Sequence, residues 1–425
     1  MPDLSRLLRP RSVALLGGRW AENVARSLRA AGFSGPIWPV HPTRPEIAGL
    51  PCLPDLDALP APPDAAFLGV NRAATVEALA RLSAMGAGGA IAFAAGFRET
   101  GDGAEFEARL VEAAGPMPVL GPNCYGLINY LDGVPLWPDV HGGVPAETGV
   151  ALVTQSSNLA INLTMQRRGL PLAYVATAGN AARVPLAALA AALIDDPRVT
   201  ALGLHLEGFG DPRALEALAA RARALGKPIA ALKAGRSAPA RAAALSHTAS
   251  LTGAAAVASA FLARLGIVEV ASPAALLETL KLLHHGGPLA GPRVVSVSCS
   301  GGEAGLIADA AEGTAIAFPP LPAPARARLA AALGPRVALA NPLDYHTFVW
   351  GDVPAMTETF AAALAAGADL TVFVLDLPRP DRCDRAAFLC AVEAIAAASA
   401  AAAARAAVLA TLPENLDEAV AAQFA

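Results

Sequence analysis

Short runs of Val, Ile and Leu alternate along this chain with longer Ala/Leu/Arg stretches that carry helical spacing. Residues 12–17 read as a strand and 21–31 as the helix after it. Further strands are predicted at 36–40, 65–70, 89–93 and 118–120, with a helix over 73–85. These strands are apolar throughout rather than alternating, as strands covered on both faces are, and strand–helix alternation builds a parallel sheet. The pattern restarts at 149–154 and runs through 201–206, 228–233 and 266–270 to a helix over 273–283. It restarts again at 293–298, with strands at 370–376 and 406–410 and a last helix over 416–424. Gly and Pro concentrate at 284–292, which marks a linker. The expected architecture is α/β, with a doubly wound nucleotide-binding type domain at 1–145 and two further units at 146–287 and 292–425. A doubly wound unit would normally place one more strand against 416–424, so the sequence is expected to be a fragment of a longer polypeptide.

Composition narrows the function classes. The 425 residues hold 32 Lys+Arg against 36 Asp+Glu, a formal charge of −4. No dominant basic surface follows from that balance, so nucleic acid is not expected as a partner. The hydrophobic fraction of 54% and mean hydropathy of +0.45 are high, but much of the apolar content is alanine. The most apolar stretch, 388–412, is interrupted by Glu393 and Arg405, so no membrane span is expected. The N-terminus has no apolar segment after its first charges, which speaks against a secretory signal. Cys52, Cys124, Cys299, Cys383 and Cys390 are scattered without a C-x-x-C pair. Neither a disulfide framework nor a metal site is expected, and a reducing cytoplasm fits.

Four turns and one histidine carry candidate chemistry. Gly17-Gly18-Arg19 joins the first strand to its helix, where phosphates meet helix N–H groups in doubly wound sheets; a plain strand–helix turn is the alternative. The G-x-G-x-x-G spacing is absent and no acidic residue ends the second strand, which disfavours a nicotinamide dehydrogenase. Gly121-Pro122-Asn123-Cys124-Tyr125-Gly126 follows a strand and specifies one tight loop, structural or functional. Thr154-Gln155-Ser156-Ser157-Asn158 and Ser300-Gly301-Gly302-Glu303 each lead from a strand into an apolar helix, as anion-binding turns or as simple N-caps. Of seven histidines, His41, His141, His284, His285 and His346 fall in predicted loops and His205 within a strand. His247 lies in a polar loop of small residues that leaves the imidazole open as a nucleophile, with Lys233 or Arg236 available to neutralise a phosphate.

The strings G-P-N-C-Y-G-L-I-N at 121–129, L-V-T-Q-S-S-N-L at 152–159 and K-A-G-R-S…S-H-T-A-S-L-T-G at 233–253 together resemble one family. It is the nucleoside-diphosphate-forming acyl-CoA synthetases, relatives of the succinyl-CoA synthetase α subunit. The resemblance covers essentially the whole chain. It implies a Rossmann-like CoA-binding domain followed by two flavodoxin-like ligase domains, the second truncated. It implies that His247 carries a phosphoryl group and that Glu207 orients it. Ser156, Ser157, Asn158, Gly301 and Gly302 would lie at helix N-termini that cradle the phosphohistidine, with Lys233 beside them. Gly17 and Gly18 would meet CoA phosphates, and Asn123 and Cys124 the thiol end of CoA. The implied reaction joins a small carboxylic acid to CoA at the expense of ATP, through acyl phosphate and phosphohistidine. ATP and magnesium would sit on an ATP-grasp domain or subunit outside this chain, and a homodimer or heteromer is expected.

The chain departs from the family pattern in a shorter first turn, Ser157 in place of glycine, Arg183 in place of aspartate, and Glu303 beside a phosphate turn. Those departures keep two other readings open. One is a CoA-binding regulatory or acyltransferase scaffold without ligase activity; the other is a lyase acting on an acyl-CoA formed in situ.

Overall fold

The computed structural model describes residues 3–240 and 255–424. After the short helix α1 (Ser5–Leu8), strand β1 (Val13–Gly17) leads into α2 (Arg19–Ala30) and β2 (Ile37–Val40). A small ladder of β3 (Glu46–Ile47) and β4 (Leu50–Pro51) precedes β5 (Ala65–Gly69), α3 (Arg72–Ala84), β6 (Ala90–Ala92), α4 (Gly103–Ala114) and β7 (Val119–Leu120). The five main strands form one parallel sheet in the order β2-β1-β5-β6-β7. Helix α2 packs because Ala21, Val24, Ala25 and Leu28, spaced three and four apart, make one buried stripe. Helix α3 starts where Asn71 caps it, its side chain accepting from the Ala74 N–H at 3.0 Å.

The chain then enters the second sheet earlier than the hydrophobic pattern implies. Strands β8 (Leu127–Asn129) and β9 (Val134–Leu136) form an antiparallel hairpin, and β8 pairs with β11 (Leu172–Thr177). The remaining strands are β10 (Gly149–Thr154), β12 (Val199–Leu206), β13 (Ile229–Lys233) and β14 (Val268–Val270), in the order β14-β13-β12-β10-β11-β8-β9. Around them lie α5 (Ser157–Thr164), α6 (Leu186–Ile194), α7 (Pro212–Ala224), α8 (Ala255–Leu265) and α9 (Pro273–Gly286). His284 and His285, placed in a loop by sequence, lie in the last turn of α9. The breakers act only at Gly286 and Gly287, so the helix runs on to them.

One continuous apolar core includes Leu15 and Phe67 of the first sheet and Val153 and Leu204 of the second. Polar contacts reinforce it: Asn129 Nδ2 donates to the Leu8 carbonyl at 3.1 Å, and Arg9 pairs with Asp196, which also pairs with Arg198 at 3.0 Å. Accordingly the residues up to Gln166, with Leu170–His284, make one compact unit. The other unit comprises 167–169 and the residues from His285 onward. Its parallel sheet has the order β16-β15-β17-β18, with β15 (Val294–Ser298), β16 (Leu343–Asp344), β17 (Leu370–Val374) and β18 (Ala406–Leu409). Its helices are α10 (Gly301–Ala311), α11 (Ala323–Leu333), α12 (Val353–Leu364), α13 (Leu389–Ala400) and α14 (Glu418–Ala421). Among the described residues no helix is long and apolar enough to cross a membrane.

Candidate functional site

The C-terminal ends of parallel strands are where a doubly wound sheet presents loops to ligands. Gly17 ends β1 in register with Gly69 of β5. Its φ is +118°, and a Cβ there would stand 2.3 Å from the Gly69 carbonyl oxygen, so only glycine fits. Gly18 precedes α2 and has nothing within 4 Å of the position a Cβ would take. The first-turn N–H groups of a twelve-residue helix are thereby left approachable, an arrangement suited to an anion.

The loop after β7 is held from both sides. Asn123 adopts φ 55° and its Nδ2 donates to Glu99 Oε1 at 2.8 Å. The next residue, Cys124, is 1% exposed, and its Sγ donates to the Thr177 carbonyl at 2.9 Å. Burial pushes that thiol up to about 12. The turn after β11 packs directly on the loop: Asn180 N donates to the Pro122 carbonyl at 2.9 Å and Ala182 N to that of Gly121 at 3.0 Å. A Cβ on Gly179 would stand 2.3 Å from the Pro122 carbonyl oxygen, which makes glycine obligatory there too. Finally, Tyr125 N donates to Ser157 Oγ at 3.3 Å, joining this loop to the start of α5.

The start of α5 is itself clamped to two neighbouring strand ends. Ser156 caps the helix by accepting from Leu159 N at 3.3 Å, and Thr154 Oγ1 donates to the Ser156 carbonyl at 2.6 Å. Gln155 N donates to the His205 carbonyl at 3.3 Å. Its side-chain Oε1 accepts from Glu207 N and from Gly208 N, the latter at 3.0 Å. Lys233, at the end of β13, donates from Nζ to the Glu207 carbonyl at 2.8 Å and to that of Ala234. Burial lowers the Lys233 pKa, while the charges of Glu207 and Glu269 work the other way. Ser156, Ser157, Glu207 and Lys233 are thus brought together, with Asn158 exposed on the first turn of α5. His247 lies outside the described residues.

In the second unit, Ser300 precedes α10 without a side-chain cap bond, and Gly301 and Gly302 are exposed. Glu303 is half-buried, with Oε2 lacking a hydrogen-bond partner among the described residues. Burial raises its pKa, and the charges of Asp376 and Asp344 raise it further. No group of three or more His, Cys, Asp or Glu among the described residues is placed to hold a metal ion.

Comparison with known families bears directly on these turns. Residues 11–130 match the CoA binding domain, and residues 147–283 match the succinyl-CoA ligase like flavodoxin domain. The chain belongs to the nucleoside-diphosphate-forming acyl-CoA synthetase family. It is 30% identical over 375 residues to trans-feruloyl-CoA synthase of an unknown prokaryotic organism, covering 85% of this chain. It spans only 53% of that relative's length. It is 27% identical over 360 residues to acetate–CoA ligase [ADP-forming] II subunit alpha of Pyrococcus furiosus, covering 80% of this chain and 76% of the subunit. The fold matches the dinucleotide-forming acetyl-coenzyme A synthetase 1 of Ca. Korarchaeum cryptofilum, solved with phosphate and ADP. That match has a TM-score of 0.85 at 24% identity and covers 100% of this chain and 97% of that one.

Several side chains of these turns are held by the fold in ways the sequence does not announce. Cys124 cannot meet a ligand through its thiol, because the sulfur is turned inward onto Thr177. Lys233, expected to neutralise a phosphate, donates from its ammonium to two backbone carbonyls at the strand ends. The Ser157 Oγ is the acceptor that holds the Tyr125 N–H. Arg183 reaches back to the Gly115 carbonyl, with Nε at 2.9 Å. Gln155 was not singled out by sequence, although a lone amide between a strand end and a helix cap is the available signal. Its partners arrive from residues far along the chain.

Proposed function

We propose that this chain is the CoA-binding and phosphoryl-carrying part of an ADP-forming acyl-CoA synthetase, an acid–thiol ligase. The observation that carries this reading is the direct bond between Tyr125 of the thiol-end loop and Ser157 of the α5 turn. It fixes the CoA-binding edge of one sheet against the anion-binding turn of the next, so acyl transfer to CoA and phosphoryl transfer share one rigid floor.

In this reading His247 takes the γ-phosphoryl group of ATP on a ring nitrogen and ADP leaves. A carboxylate oxygen of a small acid then attacks phosphorus, freeing the imidazole and giving an acyl phosphate. The sulfur of CoA attacks the acyl carbon and expels phosphate. Glu207, on a strand end pinned by Gln155 and Lys233, orients the histidine. Ser156, Ser157 and Asn158 present α5 N–H groups to phosphate, where preorganised donors serve a transfer that needs charge stabilisation more than covalent help. Gly17 and Gly18 leave the α2 start open to CoA phosphates, and Asn123 shapes the thiol end. Cys124, neutral and sealed, does not compete with CoA for the acyl group. ATP and magnesium are held by an ATP-grasp region supplied as a fused domain or a partner subunit. The alpha-subunit name of the Pyrococcus furiosus relative fits the second arrangement.

The test is phosphoprotein formation by this chain with its ATP-grasp partner, magnesium and γ-labelled ATP. Acid-labile, base-stable label is expected on wild type and is expected to vanish in His247→Ala. Wild-type protein that binds CoA but never takes label would sink the ligase mechanism.

A further inference from the structure

His205 is a buried polar group for which the chemistry above has no use. Leu202, Leu204 and Leu206 of β12 face the core shared with the first domain. A period of two therefore sends Ala201, Gly203 and His205 to the opposite face, where Ala201 packs with Leu152, Ala160 and Leu280. Gly203 agrees: a Cβ there would stand 2.6 Å from the side chains of Leu152 and Leu280. This is the face covered by α5 and α9. Along it, His205 lies in register with Thr154, the residue whose hydroxyl bonds the Ser156 carbonyl at the start of α5. The imidazole is therefore level with the anion-binding turn and on its side of the sheet.

His205 is 6% exposed, and its Nδ1 is buried with no hydrogen-bond partner among the described residues. A proton on Nδ1 would be a buried donor without an acceptor, so the proton resides on Nε2, the nitrogen farther from the backbone. Burial, aided by the Lys233 charge, lowers the pKa to about 4, which keeps the ring neutral near pH 7. A buried imidazole with an orphan nitrogen is a burden on folding that leucine at this apolar position would not impose.

We propose that His205 binds the phosphoryl group held at the start of α5, donating its Nε2–H to a phosphate oxygen. The proposal rests on the phosphoryl-carrying reading of the chain. A neutral donor adds direction to the N–H groups of α5 without a full ion pair, so phosphate is oriented yet released after acyl transfer.

The test uses the full chain and inorganic phosphate as the probe, with binding measured by calorimetry and stability by thermal melting. In His205→Leu the dissociation constant is expected to rise about tenfold while the melting temperature stays level or rises. His205→Gln, which keeps a side-chain donor, is expected to recover binding to within about threefold of wild type. Unchanged phosphate affinity in His205→Leu overturns the proposal, and so does loss of binding in both variants, the mark of a structural role. Wild-type protein that binds CoA but no phosphate would overturn the phosphoryl reading along with it. Phosphate bound by wild type and by His205→Leu alike would overturn the role of His205 alone.

Discussion

The turns after β10 and after β15 are built to the same plan, strand, small polar residues and apolar helix, yet they carry opposite surroundings. The first has a capping serine, an amide clamp to β12, a neutral histidine on its face and the Lys233 ammonium one strand further. The second lacks the cap bond and gathers Glu303, Asp344 and Asp376: burial raises the Glu303 pKa and the two aspartates add to it, while burial and all three carboxylates drive the Cys299 thiol up to about 11. A helix N-terminus attracts anions only as far as its neighbours permit. The same motif thus sits in two different electrostatic settings, each set by the residues at adjacent strand ends.

The largest separation between the two turns is expected from Gln155→Leu. It strips the acceptor from the N–H groups of Glu207 and Gly208 and should lower the stability of the first unit by about 2 kcal/mol. Denaturant unfolding followed by the tryptophans of that unit, in a Trp350→Phe background, reads this. Stability equal to wild type would mean that the clamp holds nothing.

A difference of sign comes next. Because the folded pKa of Glu303 is raised, the native second unit holds that proton more tightly than the unfolded chain does. Its stability is therefore expected to fall as pH rises from about 4.5, the ordinary value, through the raised one. Glu303→Gln should flatten that fall, as seen in hydrogen exchange of α10 between pH 4.5 and 8. An equally steep fall in the variant would place the repulsion elsewhere. The smallest contrast is in capping: Ser156→Ala should cost about 1 kcal/mol, and Ser300→Ala less than about 0.5 kcal/mol, in paired melts. Equal costs would erase the distinction between the two helix starts.

The sequence makes β1, β5, β10, β12 and β15 legible because each is a short run dominated by apolar residues, as strands buried on both faces are. It hides β11, a run half of Ala and Leu that spacing cannot separate from helix over six residues. The hairpin β8–β9 is hidden for another reason. Its partner in the sheet lies beyond β10, and pairing at that distance leaves no local trace. The candidate site divides in the same way. Glycines at strand ends announce themselves by position, as Gly17 and Gly18 do. The inward turn of Cys124, the occupation of Lys233 and the charge around Glu303 are set by contacts between distant segments.

The hairpin also bears on how such a protein can be inherited. The chain leaves the first sheet at Leu120, and by Leu127 it is already building the far edge of the second. A gene broken at codon 145 would give the upstream product two strands of its neighbour's sheet and strip the downstream product of its border. A cut between the two parts at that point is therefore expected to destabilise the second sheet, which loses its β8–β9 border.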